Sequence, residues 1–146
     1  VKINRLGKHI ESRFAHKYYS EIALGIDFTA RDVQAHCKEK GLPWEKAKAF
    51  DGSAAVSKFF PLATIGKDIQ DINFHLNING TTVQSGSTAN MLFSVDEIIS
   101  HVSKYFTLKT GDLIFTGTPA GVGRVEREDL LELFLEEKRV FYFNVK

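Results

Sequence analysis

A single cysteine, Cys37, stands in 146 residues. A lone thiol excludes an intrachain disulfide framework and fits a reducing compartment, here expected to be the cytoplasm. No run approaches the roughly 18 consecutive apolar residues of a transmembrane helix, so no membrane partner is expected. No signal-peptide pattern of basic start, apolar run and small-residue cleavage site is found. Neither sign of charge is in excess. Nineteen Lys and Arg face eighteen Asp and Glu, a formal net charge of +1. That balance excludes a strongly basic nucleic-acid binder and an acidic disordered tail. There are three prolines, Pro43, Pro61 and Pro119. Each lies near an expected element boundary, and no repeat or low-complexity linker interrupts the chain.

What is present is the balance of a globular protein, 43% apolar and 25% charged. A chain of this length buries about 70% of its unfolded surface, enough for one core, and residues 1–146 are expected to form one domain. Val1-Lys2-Ile3 alternates as the middle of a strand does. The sequence is therefore expected to begin inside an element, N-terminally incomplete.

Gly7-Lys8-His9 reads as a turn and Phe14 to Tyr19 as a short helical piece. Glu21 to Thr29 (EIALGIDFT) reads as one buried strand. Thr29 then caps a helix, with Asp32 three residues on, running to Lys40 and stopping at Gly41 before Pro43. Ile72 to Ile78 alternates with period two. Asn79-Gly80 then signals a type I′ hairpin into Thr81 to Gln84. Ser94-Val95-Asp96-Glu97 is a capping box opening a helix with Val95, Ile98, Ile99 and Val102 on one face. Leu113 to Thr116 and Arg139 to Val145 read as strands. The fold class is α+β, mostly β.

Three clusters could carry chemistry. In Asp27-Phe28-Thr29-Ala30-Arg31-Asp32-Val33-Gln34, Asp27 lies near a strand end, and Arg31 and Gln34 share a helix face. A carboxylate, a guanidinium and an amide suit a site for a cation plus a carboxylate. Capping by Asp27 and Thr29, with Arg31 paired to Asp32, is the commoner use of such residues. In Lys46-Ala47-Lys48-Ala49-Phe50-Asp51-Gly52-Ser53, a lysine among small residues can hold an anion or relay a proton. Lys46 reads as solvated on a short helix. In Thr116-Gly117-Thr118-Pro119-Ala120-Gly121-Val122-Gly123, glycines after a strand allow close backbone approach to a ligand, and a tight turn explains them equally. Thr118 could offer its hydroxyl to a bound carboxylate. The five histidines show no metal-ligand spacing, no G-x-S-x-G elbow occurs, and Cys37 and His36 point apart on their helix.

Together these clusters resemble the fumarylacetoacetate hydrolase family. The matching runs are GIDFTARDVQ (25–34), KGLPWEKAKAFDGSA (40–54), NGTTVQSGSTANMLFS (79–94) and GDLIFTGTPAGVG (111–123). The likeness is greatest to its small acylpyruvase, oxaloacetate decarboxylase and hydroxymuconate isomerase branch. The resemblance implies mixed β-sheets rolled around a central ligand site, a homodimer, and Mg²⁺ (or Mn²⁺) chelating a 2-oxo or 1,3-dicarbonyl acid. It implies Asp27 as a metal ligand, Arg31, Gln34 and Thr118 as substrate-binding residues, and Lys48 as a catalytic and substrate-binding lysine. The reaction would be C–C bond hydrolysis, decarboxylation or keto–enol isomerisation through a metal-stabilised enolate. Two features depart from the family. Its Glu-x-Glu strand and lid, expected upstream of Asp27, are unmatched here. Glu126 to Lys138 (EREDLLELFLEEK), where the family has a glycine-containing hairpin, is expected to be remodelled.

Two further readings stand beside this enzyme. One is a non-catalytic ligand-binding or dimer-forming module with an incomplete metal site. The other is a nucleotide-phosphate binder using the Gly117 to Gly123 loop.

Overall fold

The computed structural model describes all 146 residues. In chain order the elements are β1 (Lys2–Ile3), α1 (Ser12–Ala15), β2 (Tyr19–Ile22), β3 (Gly25–Asp27), α2 (Arg31–Lys40), α3 (Glu45–Lys48) and β4 (Ala54–Val56). There follow β5 (Phe60–Pro61), α4 (Leu62–Ile65), β6 (Asn73–Ile78), β7 (Thr81–Ser87), α5 (Val95–Tyr105), β8 (Leu130–Leu135) and β9 (Lys138–Asn144). The strands form three sheets, ordered β1-β2-β5, β3-β4 and β7-β6-β8-β9. Every pairing between them is antiparallel. This is the α+β, sheet-dominated class read from the sequence. No helix is long and apolar enough to cross a membrane. The chain divides into two compact units, Val1–Leu24 with Lys58–Lys146, and Gly25–Ser57.

The larger unit is organised by α5. Ser94 accepts from the Glu97 N–H, and the Glu97 carboxylate accepts from the Ser94 N–H and hydroxyl, so the expected capping box is formed. The helix buries Val95, Ile99 and Ser103, spaced four apart, against Ile3, Ile10, Ala15, Tyr19 and Leu108. Val102 packs on this cluster from a partly buried position, whereas Ile98 does not belong to it. The stripe therefore follows the i, i+4 row more narrowly than the sequence pattern implied. Ser103 is tolerated in that core because its Oγ accepts from the Ile10 N–H at 2.9 Å and donates to the Ser100 carbonyl at 3.0 Å.

The four-stranded sheet rests on two local signals. Asn79 and Gly80 take φ of 51° and 79°, the positive pair a type I′ turn requires, and Ile78 pairs with Thr81 across it. In β8, Leu131, Leu133 and Leu135 are buried on one face. On the other, Phe134 stacks on its cross-strand partner His75, ring centroids 4.4 Å apart. The Glu126 to Lys138 segment thus holds β8 and its turn into β9, closed by Glu136-Glu137 rather than by glycine, and the β8–β9 register shifts between Leu133 and Phe134. Glu136 sits at φ 51°, a costly conformation for a residue with a Cβ. Its carboxylate offsets that cost by accepting from the Asn73 N–H at 3.0 Å and from Lys67 at 3.1 Å.

Two expected strands differ. Glu21 to Thr29 is not one strand. It breaks at Ala23-Leu24 into β2 and β3, which join different sheets. Leu113 to Thr116 forms no ladder. Its partner β1 offers only two residues, so the contact reduces to an isolated bridge, Lys2 with Leu113, flanked by Ile3 N–H to Asp112 O and Ile114 N–H to Val1 O.

Candidate functional site

The smaller unit, Gly25–Ser57, carries four of the five predicted site residues. Strand β3 pairs with β4 so that Asp27 ends the ladder opposite Ala54. The next residue continues the pairing through Phe28 N–H to Ser53 O at 2.8 Å. Asp27 is therefore fixed in backbone while its side chain stays half exposed. After Ala30 the chain enters α2, which ends on Gly41 in the left-handed conformation at φ 64°. The Ala30 N–H donates to the Ala47 carbonyl at 3.1 Å, tying the start of α2 to α3. Ala47 is fully buried, which fixes α3 and leaves its neighbour Lys48 partly exposed.

Lys48 joins these pieces. Its Nζ lies 2.6 Å from Asp27 Oδ2 and donates to Thr29 Oγ1 at 2.8 Å. This ammonium is a charge held in place by two acceptors from one strand end. The expected helix cap is not formed. The N-cap residue is Ala30, without a side-chain bond, because the Thr29 hydroxyl is taken by Lys48 and by the Asp27 carbonyl. Thr29 thus braces Lys48 instead of capping α2. Its partner lies 19 positions away, beyond the reach of any local pattern.

On the first turn of α2, Arg31 Nη1 donates to Gln34 Oε1 at 3.2 Å, as the three-residue spacing implied. Gln34 is buried and Arg31 exposed, so the amide orients a guanidinium that keeps further donors for a ligand. Lys46 is exposed, as expected. Cys37 is buried and its neighbour His36 exposed, so they form no catalytic pair.

Thr118 belongs to the larger unit, where it is exposed. Its hydroxyl accepts from Gln84 Nε2 at 3.0 Å, and the same nitrogen donates to the Pro119 carbonyl at 3.0 Å. Gln84, on β7 and within the NGTTVQSG run, is the Thr118 partner that the sequence pattern did not single out. Gly121, at φ 96°, approaches β7 so closely that a Cβ would lie 2.2 Å from the Val83 carbonyl oxygen. A Cβ on Gly86 would come within 3.0 Å of Pro119 and Phe74. These glycines therefore seat the loop on β7. That packing accounts for Gly121 and Gly86 without a phosphate, whereas a Cβ on Gly117 or Gly123 would meet nothing within 4 Å, and no helix follows the loop to supply an anion-binding terminus.

The donor set for a divalent cation is short. No group of three or more His, Cys, Asp or Glu is arranged to hold a metal ion. Asp27 brings one carboxylate, and one of its oxygens already faces an ammonium. A hard cation asks for several oxygens in near-octahedral or higher coordination, so this chain's side chains alone do not fit one.

Comparison with known proteins defines the relationship. Residues 1–142 match the family described as fumarylacetoacetate (FAA) hydrolase C-terminal. The chain is 44% identical over 146 residues to the mitochondrial oxaloacetate tautomerase FAHD1 of Mus musculus, covering all of this chain and 66% of that protein. The crystal structure of a fumarylacetoacetate hydrolase family protein from Yersinia pestis superposes with a TM-score of 0.95 at 38% identity, covering 100% of this chain and 69% of that one. Fumarylpyruvate hydrolase from Pseudomonas aeruginosa, solved in complex with Mn²⁺ and pyruvate, superposes at 0.91 with 34% identity, covering 99% and 61%. The chain thus spans somewhat under two thirds of the length of curated relatives, 66% for the Mus musculus protein and 59% for that of Rattus norvegicus. With the family matched along nearly its whole length and the same fold in solved members, the chain belongs to the fumarylacetoacetate hydrolase family.

Proposed function

We propose that this protein is an enzyme acting on small 2-oxo acids, with keto–enol tautomerisation of an oxaloacetate-like dicarboxylate as the leading reaction. C–C bond hydrolysis and decarboxylation, which use the same enolate, are the other members of the class. The observation that carries this reading is the Lys48 ammonium, held at 2.6 Å and 2.8 Å between Asp27 and Thr29. A preorganised cation stabilises the negative charge that develops on a carbonyl oxygen as a neighbouring carbon loses its proton. In a tautomerisation the proton lost from carbon is balanced by one gained at oxygen, so no co-reactant is consumed. Lys48 is the proposed catalytic residue, holding that oxygen and its proton at Nζ. Arg31, Gln34, Lys48 and Thr118 are the proposed substrate-binding residues, the first through a fork of donors that matches a carboxylate. The two compact units are proposed to serve one catalytic domain, in keeping with a family match that runs through both.

Asp27 is the proposed metal ligand. Lys48 takes its Oδ2, and the other carboxylate oxygen is the one offered to a cation. Mg²⁺ or Mn²⁺ is the proposed ion, and its remaining donors come from outside this chain's side chains. The single carboxylate also favours a second reading, a non-catalytic ligand-binding or dimer-forming module of the same fold. A homodimer is proposed on the exposure of Leu92, Phe93, Tyr105 and Phe106, each more than 60% exposed. A reducing compartment suits the one buried thiol, Cys37, whether cytoplasmic or, as the Mus musculus relative's name has it, mitochondrial. The test is turnover of oxaloacetate and of acylpyruvates with Mg²⁺ or Mn²⁺ present. Turnover that Lys48→Met removes supports the enzyme. Ligand binding without turnover supports the module.

A further inference from the structure

Asn79 does more than make a turn. Its side-chain amide is bonded at both ends, Nδ2 donating to Asp129 Oδ1 at 2.7 Å and Oδ1 accepting from the Leu130 N–H at 2.9 Å. Its own N–H donates to the Leu130 carbonyl at 2.9 Å. The other oxygen of Asp129 accepts from the Glu126 N–H at 2.7 Å. The tip of the β6–β7 hairpin is thereby clamped to the entrance of β8. These bonds hold Asp129 below the usual carboxylate range, the Glu126 N–H first and the Asn79 amide second.

The next residue is Gly80, and both are exposed. A glycine after asparagine leaves the following backbone nitrogen unhindered by any Cβ. We propose that Asn79 is a deamidation site, restrained while the hairpin is clamped and disruptive once it has reacted. In the step, the Gly80 nitrogen attacks Asn79 Cγ and a C–N bond closes a succinimide ring. The Cγ–Nδ2 bond breaks, and that nitrogen leaves as ammonia with the former Gly80 amide proton. Water then opens the ring to aspartate or isoaspartate, and nothing is oxidised or reduced.

The clamp opposes the first step. With Nδ2 on Asp129 and Oδ1 on Leu130, the amide cannot turn toward Gly80 without losing both bonds. The product opposes the clamp. Aspartate replaces the donor facing Asp129 by a carboxylate oxygen, so a 2.7 Å hydrogen bond becomes a contact between like charges. Isoaspartate lengthens the main chain inside a two-residue turn whose register depends on two positive φ values. The disturbed hairpin includes β7, which carries Gln84 and through it Thr118.

The test follows the intact chain by peptide mapping at neutral pH, beside the urea-unfolded chain and Asp129→Ala. The expected result is deamidation at Asn79 that is fastest when unfolded and several-fold faster in Asp129→Ala than in the wild type. Equal rates in the folded and unfolded wild type, or no modification in either, overturn the proposal. Should Asp129→Ala not fold, thermal melting of charge variants decides it independently. Asn79→Asp is expected to lower Tm, and Asp129→Asn added to it to recover most of the loss by reversing donor and acceptor. A Tm unmoved by Asn79→Asp, or not recovered by the pair, contradicts the clamp.

Discussion

Replacing Lys48 by methionine separates a functional charge from a structural brace. The methionine keeps an unbranched stem beside the fully buried Ala47, a thioether sulfur in place of one methylene, and removes the ammonium. What is lost is one contact of 2.6 Å to Asp27 and one of 2.8 Å to Thr29. Both charged side chains reach solvent, Lys48 partly at 35% and Asp27 at 52%, so water takes over when the pair is broken. Exposed pairs of this kind contribute about 0.2–1 kcal/mol. No buried group is left unpaired, so the larger penalties for orphaned charges do not apply. The expected loss of stability is therefore below about 1 kcal/mol, read as a small fall in the urea midpoint at unchanged slope. The expected loss of function is much larger, because removing one preorganised donor to a developing oxyanion costs about 10²–10³ in turnover. A variant that loses more than about 3 kcal/mol of stability, or that turns over 2-oxo acids within tenfold of the wild type, refutes this reasoning. Lys48 would then be a brace between β3 and α3.

Other outcomes follow from the same structure. Gln84→Ala frees the Thr118 hydroxyl and the Pro119 carbonyl from their shared donor. It is expected to raise KM for a dicarboxylate more than it lowers kcat, with Tm nearly unchanged, and steady-state kinetics check the split. Ile99→Ala empties a fully buried position in the α5 core and is expected to cost about 2–5 kcal/mol by urea unfolding. The Ser94 N–H and hydroxyl hold the Glu97 carboxyl below its ordinary value. A lowered folded value contributes stability above the unfolded pKa and loses it as pH falls through the folded one. Wild type and Glu97→Gln are therefore expected to differ near neutrality and to converge in acid, as melting curves against pH would show.

Legibility in the sequence followed the range of the interactions. The exit of α2 at Gly41, the Asn79-Gly80 turn and the Ser94 box are each settled within a few residues, and all three could be read directly. The break between β2 and β3 depends on which sheet each half joins, and an unbroken apolar run conceals it. Leu113 to Thr116 has a strand's composition but only the two residues of β1 to pair with. In β8 the dense Glu and Leu hid a period-two pattern, and a glutamate stands at the turn where the resembled family has a glycine-containing hairpin. The site was legible as separate motifs. Arg31 and Gln34 share one helical turn and could be paired. Asp27 and Lys48 lie 21 positions apart, and Thr118 and Gln84 34 apart, so only the fold shows which side chains meet.

The most direct test of an oxo-acid site built on Asp27 and Lys48 is a calorimetric titration of this chain with oxalate, a 2-oxo acid mimic, with Mn²⁺ present. The account predicts saturable binding that Asp27→Asn abolishes and Lys48→Met weakens at least tenfold, about 1.4 kcal/mol. Oxalate that binds all three chains alike, or none of them while they remain folded, would contradict it.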